Sequence, residues 1–241
     1  MSNSVTVAFY TLGCKLNQAE TESLADQFAE AGFRLVSPSE MADIYVANTC
    51  TVTHIADRKS RHWLRLAKSR NPEALIVATG CYAQRAPQQL TPIADLVLDN
   101  GSKEHLLEII QALSLRKQIP SPLKGEGKGE GEIKQSHAPC QVTDGAGTAS
   151  PIVPNSTSRV RSLIKIQDGC YSPCTYCIVP KVRSHEYSLP AFQIIEGIKK
   201  RIAMGYKEVV LTGTKIGCYK NDGVGLRQLV ERVLGDTSIE R

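Results

Sequence analysis

Three cysteines fall within eight residues at Cys170-Tyr-Ser-Pro-Cys174-Thr-Tyr-Cys177, a C-x3-C-x2-C run. Thiolates are soft metal ligands. Three on one short loop, shaped by Gly169 and Pro173, can wrap one face of an iron–sulfur cubane and leave its fourth iron free. A sulfonium ligand can chelate that open iron, and an electron from the cluster can then break a carbon–sulfur bond. In such chemistry the cofactor supplies the radical, and the protein supplies placement and shielding. The other reading of the run is a structural zinc knuckle. Zinc knuckles use four protein ligands, often from a second C-x2-C pair, and His185 is the nearby substitute for one here.

A second group is spread along the first half of the chain. Cys14, Cys50 and Cys81 each lie one to four residues beyond an apolar run that reads as a strand: AFYTLGC, YVANTC and VATGC. Loops leaving the carboxyl ends of parallel strands share one edge of the sheet, where ligands bind. Three thiolates converging there suit a 4Fe–4S cluster with one open iron, or a zinc site with an exchangeable fourth position.

The elements that must hold these residues follow from periodicity. VTVAFY (5–10), DIYVAN (43–48), ALIVATG (74–80) and DLVLD (95–99) read as strands. Helical patterns follow them from Asn17 to Gly32, around Ala56 to Ser69, from Tyr82 to Leu90 and from Lys103 to Leu113. Asn17 with Glu20 three residues on reads as a capping box, and Gly32 as a stop. Alternation of this kind predicts an α/β fold, a parallel flavodoxin- or Rossmann-like sheet with helices on both faces. Residues 1–115 form this first domain. From 116 to 158 the sequence turns to SPLKGEGKGEGE and TDGAGTASPIVPNSTS, which reads as a flexible linker or insertion, with Cys140 a bystander inside it. From Arg159 to Arg241 the pattern resumes: strand RVRSLIKIQ, helix Pro190 to Met204, strand EVVLTGT and helix Gly225 to Leu234. Two β/α units are fewer than a barrel of about 250 residues requires.

Composition narrows the setting. A net charge of +5 fits an RNA partner without requiring one. No apolar run approaches the roughly 20 residues of a bilayer span, and the N-terminus lacks the pattern of an export signal. The expectation is a cytoplasmic protein with no membrane partner, whose eight cysteines stay reduced and bind metal or do chemistry rather than form disulfides.

At the motif level the chain resembles the radical S-adenosylmethionine methylthiotransferases. DGCYSPCTYCIVPKVR is similar to that family's radical signature. TLGCKLNQAETE, ANTCTVTHIADRKSR and ATGCYAQ resemble the three cysteine-bearing motifs of its N-terminal domain. GCKLNQ, NTCTVT and TGCYAQ look most like the subfamily that modifies N6-threonylcarbamoyladenosine next to the tRNA anticodon. Sister subfamilies act on isopentenyladenosine in tRNA or on an aspartate of a ribosomal protein.

The resemblance implies two 4Fe–4S clusters and S-adenosylmethionine as cofactors. Cys170, Cys174 and Cys177 would ligate the cluster that cleaves S-adenosylmethionine to a 5′-deoxyadenosyl radical, which abstracts hydrogen from C2 of the adenine. Cys14, Cys50 and Cys81 would hold an auxiliary cluster whose open iron carries the sulfur that becomes the methylthio group. Tyr176 would lie near the adenine of the cofactor, against simple packing as the other reading. Implied partners are the tRNA anticodon loop and an external electron donor of flavodoxin or ferredoxin type.

Two departures qualify this. Ser184 follows Arg183 where the family carries glycine. The longer partial barrel and the RNA-binding β-barrel of family members do not follow Arg241, so the expectation is a chain weakly active or inactive alone. The basic segment from Asp57 to Arg70, with Arg58, Lys59, Arg61, Arg65, Lys68 and Arg70, reads as an RNA-facing helix or as a solvated face. Cys218 is not expected to be a ligand. Two readings from other classes remain on the residues alone: a structural zinc protein and an electron-transfer iron–sulfur protein.

Overall fold

A computed structural model describes residues 4–115 and 161–241, so the tract from 116 to 158 and Cys140 lie outside the described residues. The first unit runs β1 (Thr6–Thr11), α1 (Lys15–Glu30), β2 (Arg34–Val36), β3 (Ile44–Thr49), α2 (His54–Arg70), β4 (Leu75–Gly80), α3 (Cys81–Arg85), β5 (Leu96–Val97) and α4 (Leu106–Leu115). Its five strands form one parallel sheet in the order β2-β1-β3-β4-β5. That is the flavodoxin-like order, with its reversal between β1 and β3.

Strand alternation sorts the core onto two faces. Val7, Phe9, Ile44, Val46 and Val77 pack with Leu24, Phe28, Leu106 and Ile110 from α1 and α4. Ala8, Tyr45, Ala47, Ile76 and Ala78 pack with Trp63, Leu64 and Tyr82 from α2 and α3. The expected parallel sheet with helices on both faces is what forms.

Three local expectations are corrected and one strand is added. Asn17 and Glu20 make no capping box: α1 begins at Lys15, its N-cap is Cys14, and no side chain caps it. Both are buried instead and bonded to residues far away in sequence. β2 has no signature in the sequence, since three residues carry no period-2 signal; backbone pairing to β1, from Thr6↔Arg34 to Ala8↔Val36, makes it a strand. The segment from Tyr82 to Leu90 is not one helix. Pro87 lacks an N–H and disfavours helix in the residue before it, so α3 stops at Arg85 and a 3-10 turn, Pro87–Gln89, follows. The fourth strand shortens to Leu96–Val97, and at its start the Asp95 carboxylate accepts the Ile76 N–H (2.8 Å).

The second unit runs β6 (Arg161–Asp168), α5 (Val179–Val182), β7 (Tyr187–Ser188), α6 (Ala191–Ala203), β8 (Glu208–Gly213), β9 (Lys220–Asn221), β10 (Val224–Gly225) and α7 (Leu226–Asp236). β6 and β8 pair in parallel, β7 lies antiparallel on the other side of β6, and β9 and β10 form a small hairpin. Ile164, Ile166, Ile194, Ile195, Ile198, Leu229 and Val233 form its core. These are the two β/α units expected, and α1 of the first unit packs across β6 and β8. No helix among the described residues is long and apolar enough to cross a membrane.

Candidate metal centres at the strand ends

Cys14 follows β1, Cys50 follows β3 and Cys81 opens α3 directly after β4. Cys14 and Cys50 therefore flank the reversal of strand order, the place where open α/β sheets bind ligands. Two glycines let the backbone close around them. Gly13 has φ +111°, and a Cβ there would stand 2.8 Å from the Cys50 Cβ and 2.9 Å from its sulfur. Gly80 has φ +97°, and its Cβ would stand 2.4 Å from the Thr49 carbonyl. The Thr49 hydroxyl donates to the Thr79 carbonyl (2.5 Å) and accepts the Ala83 N–H (3.3 Å), which ties the end of β3 to the start of α3.

Cys14 is exposed, while Cys50 and Cys81 are buried. Burial pushes the Cys50 thiol up, and the neighbouring Cys81 and Cys14 push it the same way against the N–H of Val52. Among the described residues, no three His, Cys, Asp or Glu side chains are already gathered tightly around a metal position. The donor set fits an iron–sulfur group nonetheless. Three thiols share one sheet edge, one of them open to solvent, and the buried Thr11 Oγ1 and Asn48 Oδ1 at that edge find no hydrogen-bond partner among the described residues.

The second set sits on the loop from Gly169 to Ile178, between β6 and α5. Gly169 (φ +76°) turns the chain where a Cβ would come within 1.9 Å of the His185 carbonyl. The Cys170 N–H donates to the Arg183 carbonyl (3.2 Å), and the Cys177 N–H donates to the Cys174 carbonyl (3.1 Å). Hydrogen bonding from Ser172 holds the Cys170 thiol below its ordinary range, with the Lys215 charge assisting. Cys174 is exposed and Cys177 half-buried. Tyr176 is 91% exposed, so packing within this chain does not hold it. His185 is exposed, its ring 3.4 Å from the Ser184 hydroxyl. Cys218 is exposed on a 3-10 turn, Ile216–Cys218.

The basic face of α2 is partly used up by structure. Arg61 reaches the Tyr82 hydroxyl, Lys68 pairs with Asp95 (3.3 Å) and Arg70 reaches the Pro38 carbonyl, whereas Arg58, Lys59 and Arg65 are exposed.

Residues 6–99 match the family described as Uncharacterized protein family UPF0004. The threonylcarbamoyladenosine tRNA methylthiotransferase MtaB of Aquifex aeolicus is 38% identical over 237 residues, covering 97% of this chain and 54% of that protein. MtaB of Bacillus subtilis is 37% identical, covering 90% of this chain and 45% of its own length. The chain is similar to these methylthiotransferases over nearly its whole length. It spans about half the length of the curated relatives it matches. A relative with another name, the tRNA-2-methylthio-N(6)-dimethylallyladenosine synthase of Moorella thermoacetica, is 30% identical, with 98% of this chain and 52% of that protein covered. A solved radical S-adenosylmethionine methyltransferase, TsrM of Kitasatospora setae, aligns at TM-score 0.48 and 13% identity over 89% of this chain and 48% of its own. At that distance the likeness carries no argument.

A buried polar network without a local sequence signal lies between the two cysteine sets. Glu20 accepts from Lys103 (2.6 Å) and from Arg183, whose Nη1 and Nη2 stand 2.7 and 2.9 Å from its two oxygens. Arg183 Nη1 also reaches both Asp168 oxygens at 2.7 Å. Burial disfavours the charge on Glu20, yet Lys103, Arg183 and Lys165 hold its carboxyl well below the usual range. Capping-box spacing had suggested a local role for Asn17 and Glu20; nothing in the local sequence marks Arg183 or Lys103 as their partners.

Proposed function

We propose that this chain carries both metal-binding sets of a tRNA methylthiotransferase. The substrate we propose is N6-threonylcarbamoyladenosine next to the anticodon, converted to its 2-methylthio derivative. The observation that carries the reading is the pair of three-cysteine sets, each at the carboxyl end of parallel strands, the first flanking the reversal of strand order. The names of the relatives at 38% and 37% identity support the substrate.

Cys170, Cys174 and Cys177 would hold one 4Fe–4S cluster and Cys14, Cys50 and Cys81 another, each leaving one iron without a protein ligand. When bound, these groups supply the electron that cleaves S-adenosylmethionine and the site that carries the sulfur. The chain's own residues place and shield. Gly13 and Gly80 let the Cys50 and Cys81 backbones approach, and Gly169 turns the Cys170 loop. Tyr176, exposed beside Cys177, would lie along the adenine of the cofactor. An external donor of flavodoxin or ferredoxin type would supply the electron.

Anaerobic reconstitution followed by metal analysis tests the reading. About eight irons per chain are expected, falling by half in Cys174→Ala and by half in Cys50→Ala. Zinc without iron would overturn it in favour of a structural zinc protein. Addition of S-adenosylmethionine to the reduced chain is expected to change the paramagnetic resonance of the cluster lost in Cys174→Ala; an unchanged spectrum favours plain electron transfer. The Moorella relative's name supports dimethylallyladenosine as a second substrate reading. Binding to anticodon stem-loops bearing one modification or the other separates the two.

A further inference from the structure

The two cysteine sets lie on different units, so something must fix how far apart they stand. Asn17 lies three residues after Cys14. Its Nδ2 donates to the carbonyls of Leu12 (2.9 Å) and Thr49 (3.2 Å), the residues that end the approach to Cys14 and Cys50. Its Oδ1 accepts from Arg183 Nη2 at 2.9 Å. On the other side, Arg183 Nη1 holds the Asp168 carboxylate, and Asp168 Oδ1 also accepts the Gly169 N–H at 2.7 Å, one residue before Cys170. The Arg183 carbonyl itself receives the Cys170 N–H. One guanidinium, 6% exposed, thus touches the support of both sets. The planar fork matters. A lysine carries its three donors on a single nitrogen, so it cannot place two parallel N–H bonds on the two Glu20 oxygens while also reaching Asn17 and Asp168.

We propose that Arg183 is a positioning residue that fixes the spacing of the two three-cysteine sets, so that the groups they hold face one another as a pair. The proposal rests on reading both sets as metal-binding. Charge alone does not explain the contact, because Lys103 and Lys165 already face Glu20 and Lys165 already faces Asp168 (2.9 Å). Nor is Arg183 the only arginine between the units: Arg201 of α6 pairs with Asp26 of α1 at 2.6 Å, and among the described residues neither bonds to a cysteine loop.

Arg201 therefore serves as the control. Arg183→Lys, Arg183→Met and Arg201→Met are compared with the unaltered chain by hydrogen–deuterium exchange in the metal-free state. After reconstitution, iron content and the dipolar interaction between the two reduced centres are measured. In both Arg183 variants, amides of residues 169–178 are expected to exchange about tenfold faster, the factor that about 1.4 kcal/mol of lost anchoring gives. Iron content should hold while the dipolar interaction weakens. Arg201→Met should leave both readouts unchanged. Unchanged exchange in Arg183→Lys overturns the proposal, and so does equal loosening in Arg201→Met. If Arg183→Met does not fold, Arg183→Lys, which keeps the charge, decides. Absence of iron in the unaltered chain would sink the proposed function, whereas the metal-free exchange would still judge Arg183.

Discussion

Lys103 donates to Glu20 across 83 positions of sequence, Nζ to Oε2 at 2.6 Å, with only 4% and 7% of the two side chains exposed. Removing Glu20 would leave Lys103 charged and buried without the carboxylate it faces.

Glu20→Gln is expected to destabilise the chain by about 3–5 kcal/mol, the usual cost of breaking a buried ion pair. Lys103→Met should cost less, because Glu20 keeps Arg183 and Lys165 as partners. Urea unfolding of the two variants checks the order. A smaller loss in Glu20→Gln than in Lys103→Met would contradict the role of Glu20 as the shared anion.

The same network sets an acid limit. Burial opposes the charge on Asp168, but Arg183 and Lys165 hold its carboxyl below its ordinary 3.8, as Glu20 is held well below 4.5. A carboxylate depressed in the folded state contributes stability above its unfolded value and loses it as the pH falls toward the folded one. Unfolding free energy should therefore be flat in this respect above pH 5 and decline below about 4.5. Each group contributes a slope of at most about 1.4 kcal/mol per pH unit. Glu20→Gln should remove one such contribution, and an unaltered slope between pH 5 and 3 would argue against it.

Much of this was legible in sequence, and the reason is local. Apolar runs such as ALIVATG make fully buried strands, so the positions of Cys50 and Cys81 at strand ends followed from counting along the chain. The polar network was not legible. Arg183 bonds to partners 15, 163 and 166 residues away, and no short-range pattern specifies such a contact. Asn17 and Glu20 misled for a related reason: their spacing also satisfies a capping box, and tertiary bonds won.

Thiol reactivity in the metal-free chain separates two cysteines of similar exposure. Cys50 is 6% and Cys170 8% exposed, but burial and like charges raise the first thiol, and Ser172 with Lys215 lowers the second. The thiolate is the nucleophile. Near pH 7, iodoacetamide should modify Cys170 faster than Cys50, and the gap should narrow as the pH rises. Peptide mapping by mass spectrometry reads both rates; faster modification of Cys50 would count against the arrangement of its loop.

The two glycines before the cysteine loops make a reciprocal prediction. At Gly80 the left-handed backbone and the 2.4 Å approach to the Thr49 carbonyl leave no room for a methyl group, and at Gly169 the His185 carbonyl stands at 1.9 Å. Both neighbours are backbone and cannot rotate away, so each alanine must shift a loop, at a cost of about 2–4 kcal/mol. If the proposed function holds, Gly80→Ala is expected to lose the share of iron assigned to Cys14, Cys50 and Cys81 while keeping the other share; Gly169→Ala should do the opposite. Gly197, inside α6 with nothing within 4 Å of an added Cβ, is the control. There alanine should stabilise by up to about 1 kcal/mol and leave iron unchanged. Iron analysis with thermal melts decides, and full iron retention in Gly80→Ala would mean that the strand ends tolerate displacement without loss of the site.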